Sequence, residues 1–334
     1  QLQGRPGRLD VNGLDLRVDA SRLTGAIAYV DRGRPAFGAR LDLDRLNLDA
    51  YLPQPGSDAA PQAAPAAKGG GNGNAAAPAS ANGAAQAPAR NGRSPMTPAR
   101  LLAGVDANLE LSVGQLTVRN TPVQGMRLDA TAAGGALSIK EATVQDAAGV
   151  KLRLDGQIAG LEPLRGAHLT LNAEAASLDG VARAVPWPEG VPAPERLGAV
   201  KAQARLSGDA ERLAIELGAE AAEGSLEAGG TLLNVEKNPS VDLKLRAKHP
   251  ELARLASLFT EDAVPGSYGP MDLYTELAGT RKAFTLGNIQ GVLAGVTIKG
   301  KASADLNGTK PRVEADLQTG DLELDRLAAL PAAA

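Results

Sequence analysis

A repeated sequence pattern constrains this chain more than any other feature. Residues 46–53 and 322–327 carry nearly the same Leu-x-Leu-Asp phrase, and each copy follows a strand-like pair that opens at a glycine. Two weaker copies lie between them, at residues 156–179 and 230–255. A repeat of this length indicates stacked copies of one unit rather than one compact globule. The four copies open at Gly25, Gly156, Gly230 and Gly300, of which the last three are separated by 74 and 70 residues.

The residues within each copy alternate between apolar and polar side chains. Residues 14–18 and 241–245 show this period of two, which is typical of strands with one apolar and one wet face. Aromatic residues are only 2% of the chain, so few bulky side chains are present to fill a closed core. We therefore predict a mainly β fold: an extended, curved antiparallel β-sheet of stacked repeats that forms an open apolar groove, with a few short α-helices.

Helical periodicity occurs only in short pieces. Apolar stripes follow Asp49, Thr97, His249 and Asp325, which predicts a short helix near each repeat boundary. Asp49 and Asp325 are predicted as N-caps, and Pro250 is predicted at the first helical position.

Composition divides the chain into three parts. Residues 1–53 are predicted to be the end of one repeat, and residues 96–334 to hold about three repeats. Between them, residues 54–95 are rich in Ala, Pro, Gly and Asn and contain no large apolar side chain. Such a stretch cannot offset its ordering entropy, so we predict a disordered linker whose deletion leaves the fold intact. The strand pattern begins abruptly at Gln1, which favours a piece of a longer protein.

Few residues here could carry chemistry. A formal charge of -3 provides no basic stripe for nucleic acid, and no cysteine is present. His168 and His249 have no partner at metal-ligand spacing, while Asp42 and Asp44 alternate with leucines as on the wet face of a strand. Residues 295–302 approach a phosphate-binding loop but end in Ala where Ser or Thr is required. We therefore predict a non-enzymatic protein without a cofactor or metal.

The repeated phrase and its preceding strand pair, at residues 41–53 and 286–327, resemble the AsmA-like family of bacterial envelope proteins, related to the TamB type. The resemblance covers most of residues 1–53 and 96–334. It implies a long curved β-sheet with an apolar groove, anchored to the inner membrane by an N-terminal helix. On this resemblance we predict that the chain is a fragment without its membrane anchor. The resemblance further implies a periplasmic location and a role in phospholipid traffic to the outer membrane.

The resemblance and the alternation together predict a periplasmic lipid-binding and lipid-transfer groove. Its partners would be phospholipid acyl chains, and it would support transport between the inner and outer membranes and outer-membrane biogenesis. Two alternatives stay open: a structural or chaperone module that pairs strands with outer-membrane proteins, and a passive surface array. The candidate groove-lining residues are Ile215, Leu217, Leu226, Leu232, Val241, Leu243, Leu245, Val296 and Ile298.

Overall fold

The computed structural model describes residues 2–31, 33–50, 104–188, 190–260, 264, 266, 268–308 and 310–320. Within these residues the chain forms one open, curved sheet of 17 strands with few helices, so the predicted mainly β fold is confirmed. The strands pair in chain order. They are β1 (Leu2–Arg5), β2 (Arg8–Val18), β3 (Ser21–Asp31), β4 (Pro35–Asn47), β5 (Asp106–Val118), β6 (Thr121–Ala133), β7 (Ala136–Ala147), β8 (Val150–Leu161), β9 (Leu164–Ala175), β10 (Val200–Gly208), β11 (Arg212–Ala221), β12 (Gly224–Leu233), β13 (Ser240–His249), β14 (Met271–Gly279), β15 (Ala283–Leu293), β16 (Val296–Asp305) and β17 (Arg312–Thr319).

One pair, β4 with β5, is parallel, and the other described pairs are antiparallel. Its register runs from Ala36 opposite Asp106 to Asn47 opposite Thr117. Adjacent parallel strands need a long connection, because β4 ends at one end of the sheet and β5 begins at the other. The predicted linker, residues 54–95, falls in this connection and lies outside the described residues, as do the predicted helices after Thr97 and Asp325. The segments on either side of it contribute neighbouring strands to a single sheet.

The four glycines that open the sequence repeats share one backbone geometry. Their φ angles lie between +138° and +157°, a backbone region that residues other than glycine rarely adopt. A Cβ atom on any of them would lie only 2.0–2.2 Å from a carbonyl oxygen of the following strand. In each case the directly opposite residue on that strand is a leucine: Leu41, Leu169, Leu243 and Leu317.

These glycines bring neighbouring backbones close together and bend the sheet. Beside Gly25, Gly156 and Gly300 the preceding strand also has a register irregularity, a feature that bends a strand and increases its twist. Gly208 and Gly279 have similar φ angles and similar close carbonyl contacts, although they do not open a sequence repeat. Glycine kinks at intervals are a known means of curving a sheet.

Three short α-helices are described: α1 (Asp179–Ala184), α2 (Pro194–Leu197) and α3 (Leu252–Ser257). All lie at the end of the sheet where β9 and β13 end, which we call the helical rim; the opposite end is the turn rim. The predicted start of α3 at Pro250 was wrong, because the helix begins at Leu252. Pro250 precedes the helix, and Glu251 is the N-cap, because its carboxylate accepts a hydrogen bond from the Ala253 amide at 3.3 Å.

His249 is not a helix-start residue. It is the last residue of β13, only 4% exposed, and its imidazole joins two elements of the helical rim. Nε2 lies 2.9 Å from the Ala222 carbonyl oxygen, and Nδ1 accepts a hydrogen bond from the Glu251 amide at 3.1 Å. The neutral tautomer with its proton on Nε2 satisfies both contacts, so this buried histidine has a structural role.

Asp49 also has a different role from the predicted N-cap. It lies inside a single 3-10 turn, Leu48–Ala50, and its carboxylate reaches the turn between β5 and β6. There it accepts hydrogen bonds from the backbone amides of Arg119 at 2.5 Å and Asn120 at 2.7 Å. Both turn residues have positive φ angles. Because Asp49 follows β4 and the turn follows β5, these contacts tie the parallel pair together at the helical rim.

Replacement of Asp49 by Ala should therefore loosen the turn between β5 and β6. The variant leaves both amides without their acceptor, and we expect a loss of about 1 kcal/mol of stability. Amide hydrogen exchange at Arg119 and Asn120 should accelerate, while Asp49→Asn, which keeps one acceptor oxygen, should accelerate it less. Equal exchange rates in the wild type and both variants would contradict this role.

Candidate functional site

One face of the sheet carries apolar side chains across every described strand. Directly opposite residues on paired strands project from the same face, so the register defines rows that cross the sheet. The central row meets all 17 described strands without a polar residue. It consists of Leu2, Val11, Ile27, Ala39, Leu109, Ala130, Ile139, Gly156, Leu169, Leu206, Ile215, Gly230, Leu243, Leu277, Leu286, Ala302 and Ala315.

Further rows on the same face flank the central row. The row nearer the turn rim runs from Gly4 to Val313 and contains no charged residue. In it, Tyr29 packs against Phe37 with ring centroids 5.0 Å apart. With strands at their usual spacing of about 4.8 Å, a row across this sheet is about 75 Å long. We call this surface the apolar face.

All nine candidate groove-lining residues lie on the apolar face. Ile215 and Leu243 are in the central row, Leu232 and Val241 are neighbours toward the turn rim, and the others lie toward the helical rim. Leu226 and Ile298 belong to one row, through Ala247, Leu273 and Gly291. The register thus places on one face residues that are up to 83 positions apart in the sequence, from Ile215 to Ile298. Whether they bind lipid stays a prediction.

Within the described strands, buried residues are confined to this face, and the burial is shallow. Among the described residues no large side chain is fully buried, and Leu226 is 41% exposed. The other eight candidates are half-buried. The apolar face is therefore more sheltered than the other face without being sealed as a closed core is. The buried residues of the described strands all lie on it: Val113, Ala130, Ala132, Ala167, Ala175, Leu213 and His249.

The opposite face is polar and is crossed by ion pairs between neighbouring strands. Arg40 pairs with Glu110 at 2.6 Å, and Lys140 pairs with Asp129 at 3.0 Å. Asp42, predicted above to lie on the wet face of a strand, lies on this face opposite Thr24 and Ser112. Exposed pairs of this kind add little stability, but they favour the correct neighbour for each strand.

Another ion pair on this face joins β13 to β14. The Arg246 guanidinium donates two hydrogen bonds to the Asp272 carboxylate, at 2.7 and 2.9 Å. These bonds hold the pKa of Asp272 below its ordinary value. The pair therefore stabilises the fold above the ordinary pKa of an aspartate, and this contribution is lost as the pH falls through the lowered value.

A shallow depression of about 550 Å³ lies on the polar face between β7 and β11. Its lining includes Asp155, His168, Arg205 and Glu216. His168 is exposed, and its Nδ1 lies 3.4 Å from the Gly166 carbonyl oxygen. A guanidinium nitrogen of Arg205 lies 3.6 Å from a carboxylate oxygen of Glu216. In the part of the chain that the structure describes, no three His, Cys, Asp or Glu side chains are grouped as a metal would require. The depression is an exposed polar surface.

Comparisons with protein-family models, with curated proteins and with solved structures find no match for this chain. Among the residues that the structure describes, no helix has both the length and the apolar composition needed to cross a bilayer.

Proposed function

We propose that the apolar face holds the acyl chains of phospholipids and that this chain supports lipid transfer in the bacterial envelope. One observation carries the proposal: apolar rows cross the whole described sheet, and no described layer of helices covers them. Apolar area exposed to water is unfavourable, and each acyl methylene buried on this face would contribute roughly 0.8 kcal/mol. Because such burial is non-directional, a lipid could bind without a specific recognition residue.

The dimensions of the apolar face fit movement of lipid along it. A row of about 75 Å is several times the length of one acyl chain, which is about 15 Å, or half the hydrocarbon thickness of a bilayer. The rows repeat the same small and aliphatic side chains from strand to strand, so successive positions present similar surfaces. A lipid displaced by one or a few strands would keep similar contacts.

The cellular setting of the proposal comes from the AsmA-like resemblance. On that basis the protein works in the periplasm, is anchored to the inner membrane in its full-length form, and carries phospholipid between the inner and outer membranes. This transfer would contribute to outer-membrane biogenesis.

A second function, strand pairing with outer-membrane proteins, is supported by β17. All eight of its residues are exposed, and among the described strands it pairs only with β16. A strand with one free edge can accept a strand of another chain by β-augmentation.

Photocrosslinking at neighbouring positions of β16 separates these functions. A photoreactive amino acid at Ile298 lies on the apolar face, whereas the same residue at Lys299 lies on the polar face. The lipid-transfer proposal predicts crosslinks to phospholipid at position 298 and few at position 299. Equal labelling of both positions, or no lipid at either, would contradict it. Crosslinks from β17 to a strand of an outer-membrane protein would instead support strand pairing.

A further inference from the structure

The turn rim has an excess of positive charge over its last four strands. The turn between β14 and β15 carries Arg281 and Lys282, and the connection between β16 and β17 carries Lys310. All three residues are exposed, and among the residues that the structure describes no ion-pair partner is found for them. The neighbouring Arg312 is neutralised by Glu314 at 2.6 Å. Asp305, the last residue of β16, is acidic, and its carboxylate accepts hydrogen bonds from the backbone and side-chain amides of Asn307.

The two connections that carry these cations are adjacent. The Leu306 amide donates to the Lys282 carbonyl oxygen at 2.7 Å, which joins the two connections directly. Thr280 closes its own turn, since its amide donates to the Ala283 carbonyl at 2.7 Å. The side chain of Leu306 is 45% exposed between the cations. An apolar residue flanked by cations therefore lies at the turn rim, next to the end of the apolar rows.

The charge excess does not continue along the neighbouring stretch of the turn rim. Farther along the turn rim, between β8 and β13, Arg165, Arg212 and Lys237 are matched by Glu162, Asp209, Glu211 and Glu236. At the helical rim, the turn between β15 and β16 (residues 294–295) and Gly320 after β17 carry no Lys or Arg. The cations are therefore not part of a uniformly basic surface, which agrees with the net charge of -3.

We propose that Arg281, Lys282 and Lys310 bind the anionic head group of a phospholipid whose acyl chains lie on the apolar face between β14 and β17. This inference rests on the proposed lipid-binding function and adds a preference for net negatively charged lipid. Lysine and arginine bind phosphate oxygens through charge-assisted hydrogen bonds. A zwitterionic head group carries its own ammonium group, which these cations would repel. An anionic head group has no such opposing charge.

The test offers the whole chain vesicles of equal parts phosphatidylglycerol and phosphatidylethanolamine at low salt. The protein is separated from the vesicles, and its bound lipid is quantified by mass spectrometry. We expect the wild type to be enriched in phosphatidylglycerol and the triple variant Arg281→Gln, Lys282→Gln, Lys310→Gln to lose that enrichment. The enrichment of phosphatidylglycerol in the bound lipid should fall by up to about fivefold for each cation removed. Raised salt should weaken the preference of the wild type.

A matched control removes three cations from the polar face, by Lys244→Gln, Lys299→Gln and Lys301→Gln. These lysines are exposed, and the same change in net charge should leave the lipid preference unaltered. If both triple variants lose the preference equally, total charge and not the rim is responsible, and the inference is wrong. Lipid bound by the wild type with no anionic preference would overturn the inference alone. A wild type that takes up no lipid would overturn the proposed function as well.

Discussion

Replacement of Gly230 by Ala should destabilise the middle of the sheet by about 3 kcal/mol. The new Cβ atom would lie 2.1 Å from the Asp242 carbonyl oxygen and 2.9 Å from the Leu243 Cα atom. Both contacts are with backbone of the next strand, so no side-chain rotation can relieve them. The strands β12 and β13 must separate locally, and amide hydrogen exchange along this pair should accelerate.

The adjacent glycine provides the control. A Cβ atom at Gly229 meets no atom within 4 Å, so Gly229→Ala should leave stability nearly unchanged or raise it slightly. Gly156→Ala should repeat the effect of Gly230→Ala between β8 and β9, because the His168 carbonyl oxygen lies 2.0 Å from the added atom. Similar melting curves for Gly229→Ala and Gly230→Ala would show that the repeated glycines are not required by backbone contact.

The second large effect concerns the apolar face. Leu243→Asp should lower the amount of bound phospholipid by about tenfold or more, because a carboxylate in the central row must lose hydration where acyl chains lie. Leu243 is half-buried and the apolar face is open, so the free energy of unfolding should fall by only about 1–2 kcal/mol. Bound lipid and melting temperature are measured on the same preparation.

Gln290→Asp is the matched control, since it adds the same charge on the polar face, opposite Tyr274 and Lys299. It should change neither bound lipid nor melting temperature appreciably. If the face around Leu243 were a closed core, Leu243→Asp would bury an unpaired charge and unfold the protein. A collapsed melting transition, or lipid retained at the wild-type level, would remove the main reason for proposing lipid transfer.

Strand alternation was readable from the sequence, and so was the face on which each candidate residue lies. Val241, Leu243 and Leu245 alternate with polar residues, and within one strand such alternation places every second side chain on the same face. The repeat likewise identified four glycines before their geometry was known, because a backbone position that excludes Cβ must recur as glycine in each copy. These are local properties, and local sequence is sufficient to specify them.

Contacts between distant parts of the chain were not readable in this way. Three contacts join residues that are far apart in sequence. They are the parallel pairing of β4 with β5, the hydrogen bonds from the amides of Arg119 and Asn120 to Asp49, and the contact of His249 with Ala222. The Leu-Asp phrase at Asp49 predicted an N-cap because a carboxylate can satisfy any free backbone amide, and sequence cannot say which amide is near.

The three cations of the turn rim also could not be grouped from the sequence alone. Arg281, Lys282 and Lys310 are separate, unremarkable charges in a chain with 35 Lys and Arg residues and a net charge of -3. The sequence by itself determined the strands, the two chemically different faces and the glycine positions, because each depends on neighbours a few residues away. Only the tertiary structure decided the order of pairing and placed three cations together, because strand register brings residues far apart in the sequence to one rim of the sheet.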